Sequence, residues 1–345
     1  MTSPSFFVQR WFLCNSWLLI FFSLAPTGFS LSTTPSSSYE LKALVSKGLL
    51  VQPLPNLYVL GTIHIGSKSA NDVKLVLDTV QPATVIVELP PSRLPAIAVK
   101  SQHIIQQYSA ENDDSKQQVA STSSKTSLIQ AIATLPSMAG AGLSFAGIPG
   151  MMVTVGLLWS SLVKQTWSLK KNSQQGNDIL KRSNEFEAAV AVANVLIGAT
   201  VVAADWELEE LVQRLASSLA VLDWIQLMWG GLVLEPLGIQ PKDPLQCKPD
   251  ESAVEWEERR RDISTARASL QHAQTYTPAG VDQVLVHQRN QHFAELCLKE
   301  MCAQEETVKE GEGSIDSSQL QPTVCIVGLA HVDGVCEICQ KQANI

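Results

Sequence analysis

The stretch LPNLYVLGTIHIGSKSANDVKLVLDTVQPATVIVELPPSRL, Leu54–Leu94, decides the fold of this chain. It contains two apolar, β-branched runs, Leu57–Leu60 and Thr84–Leu89, with an amphipathic segment between them. This pattern predicts a β-α-β unit whose parallel strands are joined by a right-handed crossover. His64 follows the first strand and Glu88 lies at the end of the second, so we expect both side chains at the same edge of a sheet.

The segment between the two runs carries helix start and stop signals. Ser69 and Asp72 have the spacing of a capping box, and Pro82 ends the pattern. The buried stripe of this helix is expected to be Val73, Val76, Leu77 and Val80.

A second G-x-x-H string, Gly328–His331, follows the apolar run Val324–Val327, just as Gly61–His64 follows its own strand. The two histidines are 267 residues apart, so only folding can bring them together. Glycine lets the backbone turn sharply as it leaves a strand, which allows both imidazoles to face one crevice. Two histidines with carboxylates nearby indicate a metal site or an acid–base site.

Four predicted strands end in a polar side chain. Besides the strands before His64, Glu88 and His331, the run Ala199–Ala204 leads into Asp205. In open α/β sheets, ligands bind outside the carboxyl ends of the strands, so these four side chains predict one shared site.

The predicted fold class is α/β: a small, mostly parallel central sheet built from β-α-β units, flanked by helices, with one long hydrophobic helical segment. Further helices are predicted at Asn184–Ile197, Glu207–Leu234, Val254–His272 and Val281–Cys302. The run Arg259-Arg260-Arg261 is interpreted as a solvated helix face.

The N-terminal residues 1–30 have the pattern of a signal peptide, with a signal anchor as the alternative. Residues 31–53 are predicted to be a Ser/Thr/Pro-rich linker, and residues 54–345 a single domain. The leader predicts entry into the secretory route, with a plastid, another organelle or a membrane as the final location.

Three segments interrupt the predicted domain. Residues 102–127 form a polar insertion, and residues 303–321 an acidic loop. Residues 138–163 carry no charge and are long enough to cross a bilayer, but they contain five glycines and a proline. This segment is a hydrophobic hairpin or buried helix, a transmembrane or re-entrant span, or a helix on a membrane surface.

Composition and motifs exclude several functions. The net charge is −8 and no basic cluster stands out, which argues against a nucleic-acid partner. The chain has no G-x-S-x-G elbow, so a serine hydrolase is disfavoured. Its seven scattered cysteines are interpreted mainly as small buried side chains, with Cys336-x-x-Cys339 as a weaker candidate for half a zinc site or a redox pair.

Several short sequence strings follow one another in a defined order along the chain. They are V-L-G-T-I-H-I-G at Val59–Gly66, V-I-V-E-L-x-x-x-R at Val85–Arg93, E-F-E-A-A at Glu185–Ala189, V-V-A-A-D at Val201–Asp205, W-I-Q-L-M-W-G at Trp224–Gly230, R-N at Arg289-Asn290 and I-V-G-L-A-H-V-D-G-V at Ile326–Val335. In these strings the chain resembles the TraB family, which includes eukaryotic TraB-domain proteins and is related to the Tiki membrane metalloproteases.

The resemblance implies a divalent-metal-dependent hydrolase acting on a peptide or small-molecule substrate, with Mn²⁺, Co²⁺ or Zn²⁺ as the ion. His64, Glu88 and His331 are the expected ligands, since two imidazoles and one carboxylate are a common catalytic donor set. Glu185 or Asp205 is expected to act as general base or to orient a ligand. The cations expected to bind a substrate carboxylate or an oxyanion are Arg93, Arg214 and Arg289.

The chain also departs from the family pattern, at Pro90, Trp206 and Gln288, where the family usually has charged residues. These departures support an alternative function: a catalytically inactive protein that binds or tethers an organelle membrane through residues 138–163.

Overall fold

The structure is a computed structural model, and it describes residues 37–64, 68–101, 137, 139–155, 185–220, 222–224, 226, 243–245, 248, 251–309 and 321–343. The predicted signal peptide and polar insertion lie outside these residues.

The described residues form a five-stranded sheet with helices packed around it. The strands are β1 (Leu50–Leu54), β2 (Leu57–Thr62), β3 (Thr84–Val87), β4 (Thr200–Ala203) and β5 (Thr323–Gly328). The helices are α1 (Ser37–Ser46), α2 (Lys68–Val80), α3 (Glu185–Ala191), α4 (Leu208–Ser218), α5 (Ala253–Arg260), α6 (Ile263–Tyr276), α7 (Ala279–Asp282), α8 (Arg289–Lys309) and α9 (Val332–Ala343). Two 3₁₀ turns (Pro91–Arg93 and Leu329–His331) and two π-helical turns (Val192–Ile197 and Gln283–Gln288) complete these elements, and residues 94–101 and 139–155 are also helical.

The strand order is β1-β2-β5-β3-β4. Strand β1 pairs with β2 antiparallel, and the other three pairs are parallel. This confirms the predicted mostly parallel sheet with flanking helices. Strand β5 lies between β2 and β3, so the strands of the predicted β-α-β unit are parallel but are not neighbours.

Strand β5 is suited to the middle of the sheet because all six of its residues are buried. A strand covered on both faces reads as a continuous apolar run, as Val324–Val327 does. Three cysteines contribute to the same core, Cys297 from α8, Cys325 from β5 and Cys339 from α9, each 0% exposed. This confirms the interpretation of these cysteines as small buried side chains.

The predicted linker at 31–53 is wrong from residue 37 onward, since α1 lies within it and β1 begins within it. Among the described strands β1 lies at the edge of the sheet, where Pro53 is tolerated because no further described strand needs its missing N–H. Leu49 and Leu50 are buried and anchor this edge to the core. The segment 31–53 was predicted to be a linker because it is polar and contains prolines, although it includes these two apolar residues.

The predicted cap of α2 is also wrong, because the helix begins at Lys68 and Ser69 lies inside it. The buried Ser69 hydroxyl instead accepts a hydrogen bond from Ile63 N at 3.3 Å. Asp72 accepts two hydrogen bonds from Arg261 Nη2, at 2.9 and 2.7 Å. Arg261 is 7% exposed, so the arginine run is not the solvated face that its composition suggested.

Two predicted helices are interrupted in the structure. The segment predicted as Val254–His272 is split into α5 and α6, because Asp262 caps α6 by accepting from Thr265 N. Helix α4 ends at Ser218, where Leu219 is extended. By contrast α8 continues to Lys309, so the first residues of the predicted acidic loop at 303–321 are helical.

The described part of the predicted hydrophobic segment, residues 139–155, is helical but folds back on itself. A Cβ added at Gly142 would lie 2.5 Å from the Gly150 carbonyl oxygen, whereas residues eight apart in a straight helix are separated by about 12 Å. The turn comes at Gly147, whose φ is +64°. This geometry favours the hairpin among the predicted alternatives. In the described chain no helix has the length and apolar character needed to cross a bilayer.

Candidate functional site

The sheet order brings four polar side chains side by side at the carboxyl ends of its parallel strands. In the order of the strands they are His64 after β2, His331 after β5, Glu88 after β3 and Asp205 after β4. His64 Nε2 lies 4.0 Å from Glu88 Oε2, and His331 Nε2 lies 3.7 Å from Glu88 Oε1. The predicted convergence of the two histidines and Glu88 is therefore confirmed.

His64 is held by the residues that open α3. Its Nδ1 is hydrogen-bonded to Glu185 Oε1, and its ring lies 5.4 Å from that of Phe186. Its φ of 53° is in the left-handed region, which is costly for a residue with a side chain. Burial lowers the pKa of His64, but the carboxylates of Glu185 and Glu88 together outweigh burial, so the pKa lies above its ordinary value.

His331 is held on both ring nitrogens by consecutive residues at the start of α8. Nδ1 lies 2.7 Å from Asn290 Oδ1, and Nε2 lies 3.2 Å from Arg289 Nη1. Because the guanidinium can only donate, Nε2 is the acceptor and Nδ1 carries the proton. Burial lowers the pKa of His331 to about 4, with the positive Arg289 acting in the same direction. The imidazole is therefore neutral, with a lone pair on Nε2.

Glu88 is ionised although it is 3% exposed. Burial raises its pKa, but Arg289, the two histidines and the Gly328 N–H outweigh burial and lower the pKa to about 2. Each carboxylate oxygen has a partner: Oε1 accepts from Arg289 Nη2 and Oε2 accepts from Gly328 N, both at 2.5 Å.

Arg289 links Glu88 to Asp205, the fourth strand-end residue. Asp205 accepts from Arg289 Nε at 3.0 Å and from Nη2 at 2.9 Å, and also from Trp206 N at 2.9 Å. Burial raises the pKa of Asp205, and Arg289 only partly opposes this. The arginine is thus a buried cation shared by two carboxylates.

Gly328 lies at the centre of this cluster. A Cβ added there would be 3.1 Å from His64 Nε2, 3.3 Å from Glu88 Oε2 and 3.7 Å from His331 Cδ2. The space between the three side chains therefore exists because residue 328 has no side chain.

Glu185 has a carboxylate oxygen that is not used for holding His64. Glu185 is 1% exposed, and its Oε2 is buried and accepts no hydrogen bond from the part of the chain that the structure describes. It is therefore the carboxylate oxygen of this cluster that is available as a proton acceptor.

The other predicted cations lie on the segments that follow β3 and β4. Arg93 is buried in the 3₁₀ turn that follows Glu88, on the loop leaving the same strand end. Arg214 lies on α4, where it donates to Glu210 at 2.7 Å and to Gln288 at 3.3 Å and stacks 4.2 Å from the Trp206 ring. Trp206 and Gln288 are thus the neighbours of Arg214.

Sequence reasoning missed the role of Asn290, which belongs to the same R-N string as Arg289. The signal that could have indicated a role for Asn290 is its position directly after Arg289, a predicted site residue. The contact between its amide and a ring nitrogen 41 residues away could not be read from the string alone.

The donors fit a divalent ion in their chemistry. Both histidines have Nδ1 bonded to a side-chain oxygen and Nε2 facing Glu88, which is the usual arrangement around a metal-binding histidine. The two Nε2 atoms lie 4.0 and 3.7 Å from the nearest Glu88 oxygens. These distances are slightly wide, since donors in a tetrahedral site with bonds near 2.1 Å lie about 3.4 Å apart. Accordingly, no group of three or more His, Cys, Asp or Glu among the described residues is already arranged to hold a metal ion.

Comparisons of this chain with protein-family models, with curated proteins and with solved structures gave no match.

Proposed function

We propose that this protein is a divalent-metal-dependent hydrolase that cleaves a peptide or a small-molecule substrate, with His64, Glu88 and His331 as the metal ligands. The observation that carries the proposal is the matched orientation of the two imidazoles. Each is hydrogen-bonded through Nδ1 and presents Nε2 to the same ionised carboxylate. The resemblance of the two G-x-x-H strings to the TraB family supports the same assignment.

The roles of the surrounding residues follow from their contacts. A divalent ion bound there would polarise a substrate carbonyl and lower the pKa of a bound water towards about 7. Glu185 orients His64 through one oxygen and offers the other, Oε2, as a proton acceptor. Asn290 holds His331 in the tautomer that has a lone pair on Nε2. Asp205 fixes Arg289 through two hydrogen bonds.

Titration of purified protein with Mn²⁺, Co²⁺ and Zn²⁺ tests the proposal. We expect one ion per chain by calorimetry, and loss of binding in His64→Ala and in His331→Ala. His287→Ala is the matched control, because this histidine is exposed and is paired with Asp282 rather than with Glu88. Wild-type protein that binds none of the three ions would contradict the proposal.

A second candidate function is a membrane-binding or tethering protein without catalysis. It is favoured by exposed apolar side chains on the hairpin 139–155: Leu143 is 48% exposed, Ile148 65% and Met152 38%. Co-sedimentation with phospholipid vesicles tests it. Wild type is expected to bind, and Ile148→Asp to bind more weakly; absence of binding by wild type would remove this candidate.

A further inference from the structure

We propose that Arg289 is an internal cation that competes with the divalent ion, so that metal binding displaces its guanidinium from His331 Nε2. This inference rests on the proposed function, because it concerns access to the same donors. It adds that the metal affinity of the site is set by an arginine that is not a ligand.

The first argument is the contact with His331. Arg289 Nη1 lies 3.2 Å from Nε2, which is the nitrogen that faces Glu88. An imidazole nitrogen has one lone pair, and in this arrangement the guanidinium N–H uses it. The ion and Arg289 therefore cannot both bind Nε2.

The second argument is the contact with Glu88. Arg289 Nη2 donates to Oε1 at 2.5 Å, the oxygen that also lies nearest to His331 Nε2, at 3.7 Å. The guanidinium thus binds two of the three proposed ligands at the same point. Since its side chain is only 13% exposed, solvent screens its repulsion of a second cation weakly.

The third argument is that the displaced arginine keeps a partner. Asp205 binds the Nε edge of Arg289 by two hydrogen bonds, at 3.0 and 2.9 Å. Asp205 is itself fixed by its bond from Trp206 N. Arg289 can therefore release Nη1 from His331 and remain neutralised, which avoids leaving a buried charge unpaired.

The direction of the effect follows from these contacts. Removing the guanidinium frees the lone pair of His331 and removes a positive charge beside Glu88, so a divalent ion should bind more tightly. Coupling of this kind changes affinity by about 5- to 150-fold. In the absence of metal the same substitution leaves Glu88 and Asp205 as neighbouring carboxylates without their shared cation, so the metal-free protein should be less stable.

Calorimetric titration of the full chain with Co²⁺ tests the proposal in wild type, Arg289→Gln, Arg289→Lys and Arg267→Gln. We expect Arg289→Gln to bind Co²⁺ at least about fivefold more tightly than wild type. Arg289→Lys keeps the positive charge, so its affinity for Co²⁺ should be closer to that of wild type. Arg267→Gln is the matched control, since it removes another arginine that is paired with a carboxylate, Asp333, on the surface.

Thermal unfolding gives a second readout. In EDTA the unfolding midpoint of Arg289→Gln should lie below that of wild type, and added Co²⁺ should raise it by more than it raises the wild-type midpoint. If Arg289→Gln does not fold in EDTA, the comparison is made on Arg289→Lys and on Arg289→Gln refolded with Co²⁺.

The outcomes separate this inference from the proposed function. Equal or weaker Co²⁺ binding by Arg289→Gln, with wild type binding one ion, overturns the competition and leaves the metal site intact. Failure of wild type and of every Arg289 variant to bind Co²⁺ overturns both. Binding of one ion by wild type, together with tighter binding by Arg289→Gln than by wild type and Arg267→Gln, supports both.

Discussion

The side-chain amide of Asn290 lies directly over Gly334 of helix α9. A Cβ added at Gly334 would overlap Asn290 Nδ2 and would lie 2.7 Å from Asn290 Cγ. The same amide accepts the hydrogen bond from His331 Nδ1. The glycine three residues after the histidine therefore makes room for the group that orients it.

Gly334→Ala should weaken metal binding without removing a ligand. The new methyl group displaces Asn290, and losing a partner that orients a ligand typically costs about 10- to 100-fold in metal affinity. Alanine also favours the helix more than glycine does, so α9 should persist. Calorimetry with Co²⁺ measures the affinity and circular dichroism the helix. Unchanged affinity with normal helix content would contradict this role of Asn290.

Gly328→Ala should abolish or strongly weaken metal binding for a different reason. Its Cβ would occupy the space between His64, Glu88 and His331. The φ of Gly328 is −59°, which alanine adopts freely, so the effect does not come from backbone strain. Gly140→Ala is the control, because a Cβ there has nothing within 4 Å. A Gly328→Ala protein that binds Co²⁺ like wild type would place the ion elsewhere.

The two histidines should give opposite contributions to the pH dependence of stability in EDTA. The lowered pKa of His331 means that its contribution is present above about pH 6.5 and is lost as the pH falls towards about 4. The raised pKa of His64 means that its contribution is present below pH 6.5 and is lost as the pH rises through the higher value.

Urea unfolding across the pH range checks this. His331→Gln should flatten the stability profile on its acid side and His64→Gln on its alkaline side. A change of the same sign for both variants would show that their environments do not differ as described.

Glu88→Gln should destabilise the metal-free protein far more than a surface substitution. It leaves the buried Arg289 with one fewer carboxylate, and breaking a buried ion pair typically costs about 3–5 kcal/mol. Asp333→Asn, which breaks the exposed pair with Arg267, should cost about 1 kcal/mol or less. Free energies of unfolding from urea titrations compare the two, and equal losses would contradict the buried role of Glu88.

The strands that hold the site were predictable because their apolar runs are short, β-branched and followed by polar residues. The run before His331 is one example, since the apolar run Val324–Val327 lies within β5. Strand β1 was missed because a proline and polar neighbours outweigh its apolar residues in the local pattern. The sequence pattern of an edge strand predicts its burial poorly, because an edge strand has only one neighbouring strand to contact.

The strand ends could be predicted, whereas the network that joins them could not. Sequence placed His64, Glu88, Asp205 and His331 at strand ends, which fixes their backbone positions within a turn. Arg289 contacts three of them, Glu88, Asp205 and His331. These contacts depend on where α8 begins, directly after the π-helical turn Gln283–Gln288. A shift of one residue there would turn Arg289 by about 100° around the helix axis, and no sequence pattern marked that turn.

The position of β5 has a consequence for biosynthesis. Strands β2 and β3 are made early, yet the strand that lies between them is translated only after β4 and α8. Until it emerges from the ribosome, the facing edges of β2 and β3 expose unpaired backbone groups, which are prone to aggregation. His331 follows β5, so it cannot lie beside His64 and Glu88 until β5 has been made, and the candidate site forms only late in synthesis.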